Sequence, residues 1–254
     1  MISLGGKVAL VTGGSRGIGA ATVRLFAQAG GRVVFSYHRQ RAAADDVARA
    51  ARRHGVEVLA VRADLRRLGD ARALVERTRR RFGRLDILVA NAGIWNVEDI
   101  PIEKLSERDW DQMVATNLKS VYAVVRFSVP LMKRQGGGRI IALSSTAGQR
   151  GEAFHTHYGA TKGAIISFVK GLSTELAPHK ILVNCVAPGW VDTEMSQPIL
   201  RRARLRRWVN AQIPLGRVAR AEEIAGPILF LASDLATFMT GEVVNVNGGA
   251  VLVG

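Results

Sequence analysis

Strand-length apolar runs alternate with helix-length segments along almost the whole chain, and no other feature constrains the fold as tightly. Residues 7–12, 32–37, 56–62, 85–90, 139–143, 181–186 and 242–246 are short and apolar, as expected of strands buried on both faces. Residues 17–29, 42–53, 70–82, 156–176 and 221–232 carry helical patterns. A long helical stretch over 103–133, in one or two pieces, and another over 196–211 complete the reading. Over 70–82, Ala71, Leu74, Val75, Thr78 and Phe82 share one stripe, while Arg72, Glu76, Arg79 and Arg80 face away. Strands spaced by helices pair in parallel through right-handed crossovers. The expected fold class is α/β, a doubly wound parallel sheet of about seven strands with helices on both faces. No Pro/Ser-rich linker, repeat or low-complexity tract divides the 254 residues, so a single domain is expected.

Composition narrows the setting. An apolar fraction of 48 % is globular and excludes general disorder. No apolar run approaches the roughly 18 residues of a membrane span. Residues 1–6 lack the charged start of a signal peptide, and Cys185 is the only cysteine, so a reducing cytoplasm is the expected location. The formal charge of +15, from 29 Arg and 7 Lys against 21 acids, leaves two explanations open: an anionic partner such as nucleic acid, or a chain simply rich in Arg, Ala and Gly.

The turn after the first strand, residues 12–19, holds Gly13, Gly17 and Gly19. Gly13 permits a tight turn, Gly17 lets backbone approach a pyrophosphate, and Gly19 lets the following helix pack closely on the sheet. The helix then offers free N–H groups and a favourable dipole to the anion. The expected architecture is thus Rossmann-like and dinucleotide-binding. The second strand ends Phe35-Ser-Tyr-His-Arg39 with no acid to hold an NAD ribose, while Arg16 and Arg39 offer charge to a 2′-phosphate. NADP(H) is therefore favoured over NAD(H).

Tyr158 and Lys162 stand four apart in a helical stretch, so phenol and ammonium share a face. A free Tyr ionises near a pKa of about 10, and a nearby cation is expected to bring it down towards a useful value. Ser145, just after the fifth strand, is placed to hydrogen-bond a substrate carbonyl. Asn117 stands inside a helical stretch, against its propensity.

Together these residues resemble the short-chain dehydrogenase/reductase family over nearly the whole chain: residues 12–19, Asp64, Asn91-Ala-Gly93, Asn117, Ser145, Tyr158, Lys162 and Pro188-Gly189. The Ser145-to-Tyr158 gap and residues 239–249 are closest to its 3-oxoacyl-[acyl-carrier-protein] reductase branch. Ala90 departs from the family, which often has a second Asn there.

The resemblance implies that Tyr158 is the general acid or base, that Ser145 polarises the carbonyl, and that Lys162 binds the nicotinamide ribose. It further implies that Asn117 holds a water leading from Lys162 to solvent. The cofactor would also contact Ser15, Arg16 and Ile18 in the glycine turn, Asp64 and Leu65, Asn91, Ala92 and Gly93, and Pro188, Gly189, Val191 and Thr193. Trp95, Phe154, His155 and Trp190 would surround the reacting carbonyl; of these, Trp95, His155 and Trp190 are the candidate substrate contacts. Hydride passes directly between cofactor and carbon, so no metal is expected.

Residues 190–215 would form a substrate lid, with Leu200, Trp208 and Val209 on its buried side. Its Arg201–Arg207 run either meets an acidic acyl carrier protein or anionic substrate, or is a solvated face. A homotetramer is implied, with the helices near 103–133 and 156–176 at one interface.

The leading expectation is an NADPH-dependent reductase of a small-molecule or carrier-bound carbonyl. A sugar, steroid or other secondary-alcohol dehydrogenase keeps the same chemistry with another lid. A basic nucleic-acid-binding protein has only the charge in its favour, with no zinc spacing or helix-turn-helix signature beside it.

Overall fold

The computed structural model describes residues 2–253. The first half runs β1 (Val8–Val11), α1 (Gly17–Gln28), β2 (Arg32–Tyr37), α2 (Arg41–Arg52), β3 (Val58–Arg62), α3 (Leu68–Phe82) and β4 (Ile87–Ala90). Then come α4 (Glu107–Met113), α5 (Ser120–Arg134), β5 (Gly138–Leu143), α6 (Thr146–Arg150), α7 (Thr156–Leu176) and β6 (Ile181–Pro188). The last part holds β7 (Val191–Asp192), α8 (Gln197–Leu200), α9 (Ala203–Ala211), β8 (Ala219–Arg220), α10 (Ala221–Ala232) and β9 (Val243–Val246).

Seven strands form one parallel sheet in the order β3-β2-β1-β4-β5-β6-β9. Successive side chains of a strand point to opposite faces, and the core divides accordingly. Ala9, Val11, Val33, Phe35, Ile87 and Val89 enter the layer beneath α1, α2 and α10. Leu10, Val34, Leu88, Ile140 and Ala142 enter the layer with α3, α5 and α7. Central strands apolar at every position are what a sheet covered on both sides requires. This is the expected Rossmann-like α/β fold.

α3 behaves as its pattern predicts. Ala71, Leu74, Val75 and Thr78 are buried, Arg72 is exposed, and Arg79 and Arg80 pair with Glu76 at 2.7 and 3.0 Å on the solvent side. Its last turn is basic, which suits the helix dipole, and Gly83 ends it at φ 74°.

Three differences from the sequence reading bear on function. The stretch expected over 103–133 is a 3₁₀ turn at Ile102–Lys104, then α4, a π-helical turn at Val114–Lys119, and α5. The helix expected over 196–211 is two, α8 and α9. The short α6 and the separate β7–β8 pair were not foreseen.

The strand order reverses between β1 and β4. Loops leaving the carboxyl ends of these neighbours diverge to opposite faces, and a crevice opens between them.

Candidate active site

That crevice is a cleft of about 560 Å³. Its floor is tied across the reversal point. Thr12 Oγ1 accepts from the backbone N–H of Asn91 and of Ala92, each at 2.9 Å, and Asn91 Nδ2 donates back to Thr12 O at 2.9 Å. At one end lie Gly13, Ser15, Arg16, Gly17, Ile18 and Gly19. Gly13 takes φ 68°, which a side chain would strain, and a Cβ at Gly19 would collide with the Gly13 carbonyl oxygen. Arg16 makes no side-chain cap on α1, and the first turn holds no acid. The N–H groups at this end are therefore left to the cleft, with the positive end of the helix dipole behind them.

Arg39, Asp64 and Leu65 line the same end. Arg66, which sequence reasoning missed, grips Asp64 with two bonds of 2.8 and 2.6 Å and holds its carboxyl down at about 2. His38 Nε2 lies 3.8 Å from the same carboxylate.

At the other end lie Gly93, Trp95, Ser145, Tyr158, Lys162, Pro188, Gly189, Trp190 and Val191, while Thr193 reaches back to the glycine turn, where a Cβ at Gly17 would meet its Cγ2 at 3.2 Å. Ser145 caps α6, its Oγ accepting from Ala147 N at 3.1 Å. α6 packs so tightly on α7 that a Cβ at Gly148 would come within 2.5 Å of the Lys162 carbonyl carbon. Ser144 Oγ donates to Lys162 O at 2.7 Å. These contacts fix the α7 face that carries Tyr158 and Lys162.

The electrostatics correct one expectation. Lys162 does not pull the phenol down: its Nζ donates to Leu143 O at 2.8 Å and lies 5.7 Å from the ring centre. Burial dominates instead, pushing the Tyr158 phenol up to about 12 against the lowering effect of Ser145, and the Lys162 ammonium down to about 8.

Asn117 lies outside the cleft wall, fully buried in the π-helical turn. Its Oδ1 accepts from Ile94 N at 2.8 Å and its Nδ2 donates to Ile94 O at 2.9 Å. The side chain thereby grips the loop that carries Gly93 and Ile94 along the cleft.

The substrate set is split. Trp95 and Trp190 line the cleft with rings edge-on, their centres 5.8 Å apart. His155, expected among the substrate contacts, is not on the wall. It is buried and stacked beneath Trp95 at 4.9 Å. Phe154 faces solvent at φ 63°. The missed member is Glu152, a carboxylate on the same wall as Tyr158. Its only sequence signal was its position between Ser145 and Tyr158.

Within residues 190–215, Leu200 and Val209 are buried as expected, with Ile213 and Val218 in a small core against Trp190. Trp208 is not: it is 59 % exposed, because α9 turns it outward with Arg204 and Arg207. Arg206 pairs with Asp192 at 3.1 Å.

A crevice cradled by glycines at one end and carrying a phenol and an ammonium at the other is that of an NAD(P)-dependent oxidoreductase. Residues 13–251 match the family model described as Enoyl-(Acyl carrier protein) reductase. The chain is 38 % identical over 251 residues to the 3-oxoacyl-[acyl-carrier-protein] reductase FabG of Aquifex aeolicus (strain VF5), covering 98 % of each. It is 38 % identical to a 3-oxoacyl-[acyl-carrier-protein] reductase of Synechocystis sp. (strain ATCC 27184 / PCC 6803 / Kazusa), covering 99 % of this chain and all of the other. Among solved structures, a short-chain type dehydrogenase/reductase from Mycobacterium marinum superposes with a TM-score of 0.90 at 32 % identity, covering 99 % of this chain and 98 % of that one. The chain belongs to the short-chain dehydrogenase/reductase family. The residues present fit a nicotinamide dinucleotide: the uncapped helix end and its glycine cradle suit a pyrophosphate.

Proposed function

We propose that the protein is an NADPH-dependent reductase that transfers hydride to the 3-oxo group of an acyl thioester, free or carried on an acyl carrier protein. One observation carries this reading: Ser145, Tyr158 and Lys162 converge on one end of a cleft whose other end presents Arg16 and Arg39. Two relatives named as 3-oxoacyl-[acyl-carrier-protein] reductases over essentially their full length support the substrate class.

When bound, the nicotinamide supplies the hydride. Tyr158 then gives its proton to the carbonyl oxygen; burial keeps the phenol protonated at working pH. Ser145 hydrogen-bonds the same oxygen and steadies the charge developing on it. Lys162 holds the nicotinamide ribose. Gly13, Ser15, Gly17, Ile18 and Gly19 receive the pyrophosphate. Arg16 and Arg39 receive the 2′-phosphate. Asp64 and Leu65 flank adenine, Asn91, Ala92 and Gly93 line the adenosine side, and Pro188, Gly189, Val191 and Thr193 cradle the nicotinamide. Trp95 and Trp190 wall the substrate, and residues 190–215 cover it.

The test is NADPH and NADH oxidation with acetoacetyl thioester, with crotonyl thioester and a panel of ketones as alternative substrates. NADPH with acetoacetyl thioester is the expected best pair. Tyr158→Phe should lose about 10³-fold in kcat and still bind cofactor by fluorescence. Full turnover in that variant sinks the mechanism.

A further inference from the structure

Glu152 has no place in the reaction as set out above, yet it stands beside the reacting position. It lines the cleft with Tyr158, Ser145, Trp95 and Trp190. Its backbone N would lie 3.5 Å from a Cβ at Gly159, so it abuts the first turn of α7. The side chain is only 22 % exposed, and its one basic neighbour within 4.0 Å among the described residues is the imidazole of His155, at that limit. No Arg or Lys neutralises it at contact distance among the described residues. Arg150 also lines the cleft and draws the Glu152 carboxyl down, but it is exposed, and burial outweighs it. The Tyr158 phenol registers Glu152 as a negative charge that lifts it further.

A partly desolvated carboxylate at this point acts on charge. It tolerates a neutral group and repels an anionic one, because a like charge nearby is screened poorly away from bulk water. A 3-oxoacyl thioester and its hydrolysis product differ in this respect. The thioester is neutral at C1, whereas the free acid carries a carboxylate two bonds from the reacting carbon. A chain of net charge +15 draws anions in general, so a local filter has work to do at this spot.

We propose that Glu152 sets the charge specificity of the reductase, admitting a neutral carbonyl compound and rejecting one with a carboxylate beside the reacting carbon. This rests on the carbonyl-reductase reading above. The groups facing Glu152 are Trp95, whose side chain hydrogen-bonds the carboxyl, Arg150 from α6, Asp99 from the loop after β4, and His155 and Tyr158 at the start of α7. Burial raises the Glu152 carboxyl above the ordinary carboxylate value, so it takes up its proton earlier than a surface acid as pH falls.

The experiment compares kcat/KM for acetoacetate and for ethyl acetoacetate, its neutral ester, with NADPH. The two share the reacting carbonyl and differ by one charge. At pH 8 the wild-type enzyme should prefer the ester, and Glu152→Gln should raise the acetoacetate-to-ester ratio about tenfold. In the wild-type enzyme the ratio should also rise as pH falls, and Glu152→Gln should flatten that rise. An unchanged ratio in the variant overturns the proposal and leaves the reductase reading standing. Should the variant fail to fold, a wild-type ratio flat from pH 8 downward overturns it equally. If the wild-type enzyme reduces neither these two ketones nor acetoacetyl thioester with either nicotinamide, the reductase reading falls and takes this one with it.

Discussion

Tyr158 and Lys162 share a face of α7, and burial moves them in opposite directions, one up to about 12 and the other down to about 8. At neutral pH both keep their protons. As pH rises through about 8, Lys162 loses its charge while Tyr158 still holds the proton that reduction needs. We expect kcat/KM for reduction to fall with an apparent pKa near 8; a profile flat to pH 10 contradicts the Lys162 role. The stability sign follows from the same shift. The folded Lys162 binds its proton more weakly than the unfolded chain does, whose ordinary value is 10.5. Its burial penalty is therefore complete below about 8 and is released as pH rises towards 10.5. Lys162→Met should accordingly raise the urea midpoint more at pH 7 than at pH 10. The pair itself was legible, since a spacing of four is a local property. Its pKa pattern was not, because that depends on Leu143 O and on α6, which are brought in by the fold. His155 was misplaced for a similar reason: Phe154, at φ 63°, precedes it, and sequence spacing does not predict such a turn.

The strand–helix alternation could be read because periods of two and of 3.6 separate cleanly over several residues. A single π-helical turn differs from α by too little to register, yet it is where Asn117 sits. The sequence hint was real but negative, an Asn where a helix interior disfavours one. The fold supplies the reason, a reciprocal pair of bonds to the backbone of Ile94 that no local pattern reveals. Asn117→Ala leaves the Ile94 N–H and C=O without these partners. The loss should be about 1–3 kcal/mol, seen as a lower urea midpoint, together with weaker cofactor binding because Gly93 and Ile94 line the cleft. Wild-type stability and affinity in this variant would remove Asn117 from any role in holding that loop. The β7–β8 pair and the α8/α9 break were illegible for a related reason: two-residue strands and a four-residue helix carry no periodicity.

The charge and the exposed apolar surface belong to the whole molecule. Much of the basic excess lies on solvent faces such as those of α3 and α9, and no helix among the described residues is long and apolar enough to cross a membrane. The apolar surface is more specific. Trp110 on α4, which packs against α7, and Tyr122 on α5 are 41 and 38 % exposed. A second patch surrounds β9, one of the sheet's two outer strands, where Phe238 is fully exposed and Leu252 is 89 % exposed. An open strand edge flanked by bare aromatic and aliphatic groups is a liability in an isolated chain. Two separate patches that each meet their own copy build a tetramer with dihedral symmetry, whereas one patch alone stops at a dimer. Light scattering should therefore give about four times the 27.4 kDa chain mass. Phe238→Lys, which blocks only the patch at the β9 edge, should reduce the particle to a dimer, and Trp110→Lys should do the same through the other patch. A wild-type monomer, or a tetramer that survives both substitutions together, would show that these patches are not the contacts.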